Sequence, residues 1–118
     1  GSFRDLIVYQ KAFHNAMLIF ELSKKFPQIE KYALTTQIAI QADPFAQILQ
    51  KDIDNVNIQH FISKFTDADS ENSETIVWLD FALACEYISK AEHDDLIERV
   101  EEVGRLLNHA INNPSKYS

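Results

Sequence analysis

Asp67, Asp69 and Glu71 alternate along one stretch of the chain, and alternating carboxylates are what a calcium loop uses to surround a cation with oxygens. The pattern fails at two fixed positions. Asn72 stands where the loop needs glycine for its sharp turn, and Trp78 where a bidentate glutamate must close the shell. These acids are therefore expected on a solvated helix face, with some at bundle contacts. A di-iron bundle needs Glu-x-x-His pairs on facing helices, and the sequence has none: His14, His60, His93 and His109 are scattered and suit surface or half-buried roles. Cys85 ends the run Phe81-Ala82-Leu83-Ala84-Cys85, where a buried small hydrophobe is expected in place of an activated thiolate. With no glycine-rich phosphate loop either, the residues predict no enzyme, no cofactor and no metal site.

The elements that would carry any other function are bounded by the totals. A chain of 118 residues suits one domain, here 1–118, with Gly1-Ser2 read as a cloning scar outside the fold. Hydrophobic residues make up 46%, enough for a core, while only two glycines and three prolines leave few tight corners for a β architecture. An all-α fold follows. One cysteine allows no intrachain disulfide, which points to a reducing, cytoplasmic setting. No apolar run approaches the roughly 20 residues that span a bilayer, and the start lacks a secretion-signal pattern, so no membrane is expected. The net charge of −7 repels phosphate backbones unless the cations gather on one face.

Periodicity divides the chain into four helices. The first runs from about Phe3 to Phe26, with Leu6, Tyr9, Phe13, Met17 and Phe20 as its apolar stripe, and stops at Pro27. A second begins near Glu30 and carries Leu34, Ile38, Phe45, Leu49, Ile53 and Val56; Asp43-Pro44 either kinks it or restarts it. A third covers about Ile58 to Ile88, with Phe61, Phe65, Ala68, Thr75, Trp78, Leu79, Ala82 and Cys85 on one period. Ser89 and Glu92 form a capping box that starts the fourth, whose stripe is Leu96, Val100, Val103, Leu107 and Ile111 and whose end is Asn112-Asn113-Pro114. Short connections make this an antiparallel up-down-up-down four-helix bundle.

Four stretches carry a family resemblance: FRDLIVYQKA at 3 to 12, KKFPQIEKYALTTQI at 24 to 38, HFISKFTDADSENSETIVWLDFALACEYIS at 60 to 89 and EEVGRLLNHAINNPSKY at 101 to 117. Together they resemble the 23S rRNA intervening-sequence protein family, small bacterial four-helix bundles related to the accessory variability determinants of diversity-generating retroelements. The resemblance implies a non-enzymatic bundle, commonly a ring-forming homo-oligomer, with a basic surface that contacts nucleic acid. Such proteins usually continue past the QI of their second helix with arginine- and serine-rich sequence, an Asn-Ile-Ala-Glu element and a further basic cluster. Here residues 39 to 59 read AIQADPFAQILQKDIDNVNIQ, with Lys51 the only cation.

That departure weighs against nucleic acid as the partner, because counterion release scales with the phosphates neutralised. A family-like framework holding one foreign segment reads as an engineered scaffold that presents a protein-recognition helix. Phe45 to Asn57 resembles a BH3 motif, in which Phe45, Leu49 and Val56 would anchor in the groove of a Bcl-2-type protein and Asp54 would pair with an arginine. Asp52 and Ile53 depart from that motif. Gln50-Lys51-x-Ile53-Asp54-x-Val56 resembles part of the influenza hemagglutinin stem helix, which would suit an antibody. If the apolar stripe is core instead, the contact face comprises Ile40, Asp43, Gln47, Ile48, Lys51, Asp52 and Asn55. Two alternatives stand beside this reading. One is a nucleic-acid-associated role through Arg4, Lys11, Lys24, Lys25 and Lys31; the other is a segment altered only to change assembly state.

Overall fold

The computed structural model describes residues 7–28 and 58–113. Among them lie three helices and no strand: α1 (Ile7–Ser23), α2 (Ile58–Ala84) and α3 (Lys90–Asn112). The all-helical class is therefore borne out, while the predicted second helix, about residues 30 to 57, lies outside the described residues.

The α3 boundaries are those the sequence predicts. The Glu92 N–H donates to Ser89 Oγ at 3.1 Å and the Ser89 N–H to Glu92 Oε1 at 2.8 Å, so each residue satisfies a backbone donor that the helix start leaves open. At the other end the Asn113 N–H donates to the Ala110 carbonyl. Leu96, Val100, Val103, Leu107 and Ala110 are buried along one side, and Ile111 is half-buried.

The third predicted helix is cut short at Ala84. The Tyr87 N–H reaches back to the Ala82 carbonyl and the Glu86 N–H to the Leu83 carbonyl, both at 2.9 Å, with Glu86 at φ 62. This is a Schellman turn whose left-handed position carries glutamate in place of the usual glycine. The ring of Tyr87 lies 6.4 Å from that of Phe81, supplying the apolar contact that accompanies such turns. A helix stop built on a strained non-glycine leaves no glycine or proline to read, which is why the periodicity continues past the observed end. The turn also overturns the expectation for Cys85, which is exposed beyond the helix end instead of buried.

Packing fixes the directions. One apolar cluster joins Val8 of α1 and Phe65 and Ala68 of α2 to Val103, Leu107 and Ala110 of α3. A second joins Ile19, Leu79 and Ala82 to Leu96 and Val100, with Ile88 from the turn. The starts of α1 and α2 thus meet the end of α3, so α1 and α2 run parallel and α3 runs antiparallel to both. Between the clusters sits a polar layer. Asn15 of α1 donates to the Arg99 carbonyl at 3.0 Å, and Asn72 of α2 to the Val100 carbonyl at 2.9 Å. Both amides are buried.

The inward side of α1 differs from the predicted one. Val8, Asn15, Ile19 and Ser23 are buried, whereas Phe13, Met17 and Phe20 are 59%, 45% and 43% exposed. Apolar residues ring most of α1, so periodicity alone selects its bulkiest face. The face that packs on α3 instead carries an amide able to reach a backbone carbonyl. Ser23 joins it because its hydroxyl donates to the Phe20 carbonyl at 2.7 Å.

Three stability measurements by denaturant unfolding follow. Asn72→Ala removes a buried amide bond and is expected to cost about 1–3 kcal/mol. Glu86→Gly relieves the left-handed strain and is expected to stabilise by about 1 kcal/mol, which a neutral or destabilising result would contradict. Ile19→Ala is expected to cost about 2–4 kcal/mol and Phe13→Ala under about 1 kcal/mol; the reverse order would restore the predicted stripe as the packed face.

Candidate functional site

The end of the bundle where α1 finishes, α2 turns and α3 begins gathers the most varied chemistry among the described residues. After Ser23 the chain tightens: the Lys24, Lys25 and Phe26 N–H groups donate to carbonyls three residues back. This places Phe26 against Tyr87, with ring centroids 5.3 Å apart. Tyr87 meets Phe81, and Phe81 meets Trp78 edge-on at 5.9 Å. The four rings form a chain from the segment after α1 through the turn to α2. Lys25 crosses to the first turn of α3, 3.2 Å from Glu92 Oε2. Hydrogen bonding from the Ser89 backbone, then from Lys25, holds the Glu92 carboxyl below its ordinary pKa.

His93 is the best-organised titratable group there. Its Nε2 lies 2.7 Å from Asp80 Oδ1 of α2, and its Nδ1 lies 2.9 Å from Asp94 Oδ1 of α3. The imidazole is 13% exposed, against 62% and 55% for the two carboxylates. Carboxylates only accept, so filling both contacts requires both ring nitrogens to carry hydrogen, the imidazolium form. The hydrogen bond to Asp80, then that to Asp94, raises the His93 pKa above its ordinary 6.5. The same contact with His93, then Lys90 at 3.2 Å, lowers that of Asp94. With both nitrogens engaged, the ring offers no lone pair to a substrate. This arrangement ties two helices together.

Most other cations of the described residues are also engaged. Lys11 lies 2.8 Å from Glu102, Lys24 3.1 Å from Glu21, Lys64 4.0 Å from Asp67 and Arg99 3.0 Å from Asp95. Counting Lys25 and Lys90, six of the seven Lys and Arg residues in the described stretches face a carboxylate, so they do not gather into a basic surface. Asp67, Asp69 and Glu71 lie within the continuous helix α2, not in a loop. Burial raises the Asp69 pKa, partly offset by a hydrogen bond with Asn108. Among the described residues no cluster of three or more His, Cys, Asp or Glu side chains could hold a metal ion.

The predicted recognition residues Ile40, Asp43, Phe45, Gln47, Ile48, Leu49, Lys51, Asp52, Asp54, Asn55 and Val56 all lie outside the described residues. Within the described ones, sequence reasoning missed the pairing of Asp80 with His93. Thirteen residues and a reversal of chain direction separate the two, and no short-range spacing rule joins them. The only local hint was Asp94 beside His93 in the first turn of a capped helix.

Comparisons with curated proteins and with solved structures return no match. The sequence model of one family, described as 23S rRNA-intervening sequence protein, matches residues 4–109 and so takes in α1, α2 and nearly all of α3. The chain belongs to the 23S rRNA-intervening sequence protein family.

Proposed function

We propose that the chain is a non-catalytic accessory bundle that associates with nucleic acid, the role its family's description points to. The observation that carries this reading is the extent of the family match, residues 4–109, which follows the helical framework and not an isolated motif. A four-helix architecture is part of the proposal. Parallel α1 and α2 require the chain to return along the bundle between them, which an antiparallel helix over about residues 30 to 57 would do. Self-association is part of it as well, supported by Phe13, Met17 and Phe20, which share one exposed face of α1. The protein would work in a reducing compartment such as the cytoplasm, where the exposed thiol of Cys85 stays unpaired. None of the described helices is long and apolar enough to cross a membrane.

Electrostatics makes any nucleic-acid contact a modest one. Ion pairs this exposed contribute little, so a phosphate can displace the carboxylate from Lys11, Lys24 or Lys25. The net charge of −7 opposes the approach. Were the five cations Arg4, Lys11, Lys24, Lys25 and Lys31 to make the contact, neutralising five phosphates of single-stranded RNA would give a log–log salt slope of about −3.5.

A second reading has its own observation. Residues 39 to 59 carry one cation, Lys51, among the acids Asp43, Asp52 and Asp54, which suits a protein partner better than a phosphate backbone. In that reading Ile40, Asp43, Phe45, Gln47, Ile48, Leu49, Lys51, Asp52, Asp54, Asn55 and Val56 supply the contact.

Titrating the full chain with fluorescent single-stranded and structured RNA over a salt series separates the two. Binding at low salt, with a slope that drops by about 1.4 in a Lys24→Glu/Lys25→Glu variant, is expected. No binding at about 20 mM salt ends the nucleic-acid reading, and would leave charge reversals at Lys51 and Asp54 as the next measurement.

A further inference from the structure

We propose that the α2–α3 end of the bundle is a proton-operated clasp, in which doubly protonated His93 ties Asp80 of α2 to the first turn of α3 and its deprotonation loosens the turn between them. The geometry carries the argument. A neutral imidazole has one N–H, so it can donate to only one of two carboxylate oxygens now 2.7 and 2.9 Å away, and must turn a lone pair toward the other. The bond that survives loses its charge assistance and roughly half its strength.

The charged neighbours define what loosens. Asp94 has a second partner, Lys90 at 3.2 Å on its own helix, and can turn to it. Asp95 is already held by Arg99, and Glu92 by Lys25 from the segment after α1. Asp80 therefore depends on His93 for the contact that crosses between the two helices. Five residues, 85 to 89, join those helices, and one of them is Glu86 at φ 62. A turn already held in an unfavourable backbone region is where a weakened tether is felt first. The chain of rings from Phe26 through Tyr87 and Phe81 to Trp78 lies over the same turn, so its packing follows the state of the clasp.

The direction is fixed by linkage. Both carboxylates stabilise the protonated ring in the folded state, raising its pKa above the ordinary 6.5. The stabilisation is fully present below about pH 6.5 and is lost as the pH rises through the raised folded value.

The test uses the full chain. Histidine ring signals are followed by NMR from pH 5 to 9, together with amide exchange at residues 85 to 88, corrected for its intrinsic pH dependence, and the emission of Trp78, the only tryptophan. His93 is expected to titrate above its ordinary value of 6.5, and exchange at the turn to rise several-fold across that midpoint with a parallel change in Trp78 emission. In Asp80→Asn the midpoint falls toward the ordinary value, each unit of fall marking about a tenfold weaker hold on the protonated ring. His93→Gln, which cannot take up the proton, gives a flat profile. Asp80→Asn keeps the test sharp if His93→Gln fails to fold. A His93 midpoint that is the same with and without the Asp80 carboxylate overturns the proposal. So does a turn whose exchange is unchanged across the wild-type midpoint.

Discussion

The packing of the described helices turns on two buried side-chain amides that bond to the backbone of α3. Asn15 of α1 and Asn72 of α2 donate to the carbonyls of consecutive residues, Arg99 and Val100. Leaving a buried amide without a partner costs about 1–3 kcal/mol, a sizeable share of the roughly 5–15 kcal/mol by which a small domain is stable. Sliding either flanking helix by one turn would break its amide's bond to α3. The aliphatic clusters above and below supply the driving force, and the amides choose the register. The same layer brings α2 close to α3: a Cβ added at Gly104 would lie 3.4 Å from Asn72 Nδ2.

How much of this could be read from sequence follows from which signals are local. The start of α3 was legible because Ser89 and Glu92 satisfy each other's backbone within a single turn. Its inward stripe was legible because its apolar residues occupy one side and charges the other. The facing of α1 was not, because apolar side chains surround it and the deciding residue, Asn15, is polar. Periodicity discounts the type of residue that settles the matter there. The end of α2 was hidden for a related reason. Glu86 occupies a position where glycine would have announced the stop, and the cost is carried by the two backbone bonds of the turn and by the Phe81–Tyr87 contact. The exposure of Cys85 is a consequence of that turn, so the error in reading one became the error in reading the other.

The site shows the same division. The pairing of His93 with Asp80 depends on two helices being folded against each other at one register, which no local spacing carries. Family membership was legible because it is spread over four separated stretches, and the match over residues 4–109 spans the framework they occupy. What the framework contacts is a question of surface charge, and here framework and surface pull apart. The family description directs attention to RNA, whereas the cations of the described surface are largely neutralised by acids of the same chain.

Those opposing indications are reconciled by the scale of the ion pairs. Lys11–Glu102, Lys24–Glu21 and Lys25–Glu92 are exposed, and pairs of that kind are weakly held and readily exchanged. A chain whose cations sit in weak, replaceable pairs can meet a phosphate backbone, but only by giving up contacts it already has and against its own net charge. Such a surface favours brief, salt-sensitive contact over tight capture. An apolar face such as that of Phe13, Met17 and Phe20 has no comparable competitor within the described surface, and water gains when it is covered. In the proposed reading, assembly through apolar contact and weak electrostatic attraction to nucleic acid would be complementary. Several copies held together would present several weak basic sites at once, and linked sites bind far more tightly than any one of them alone.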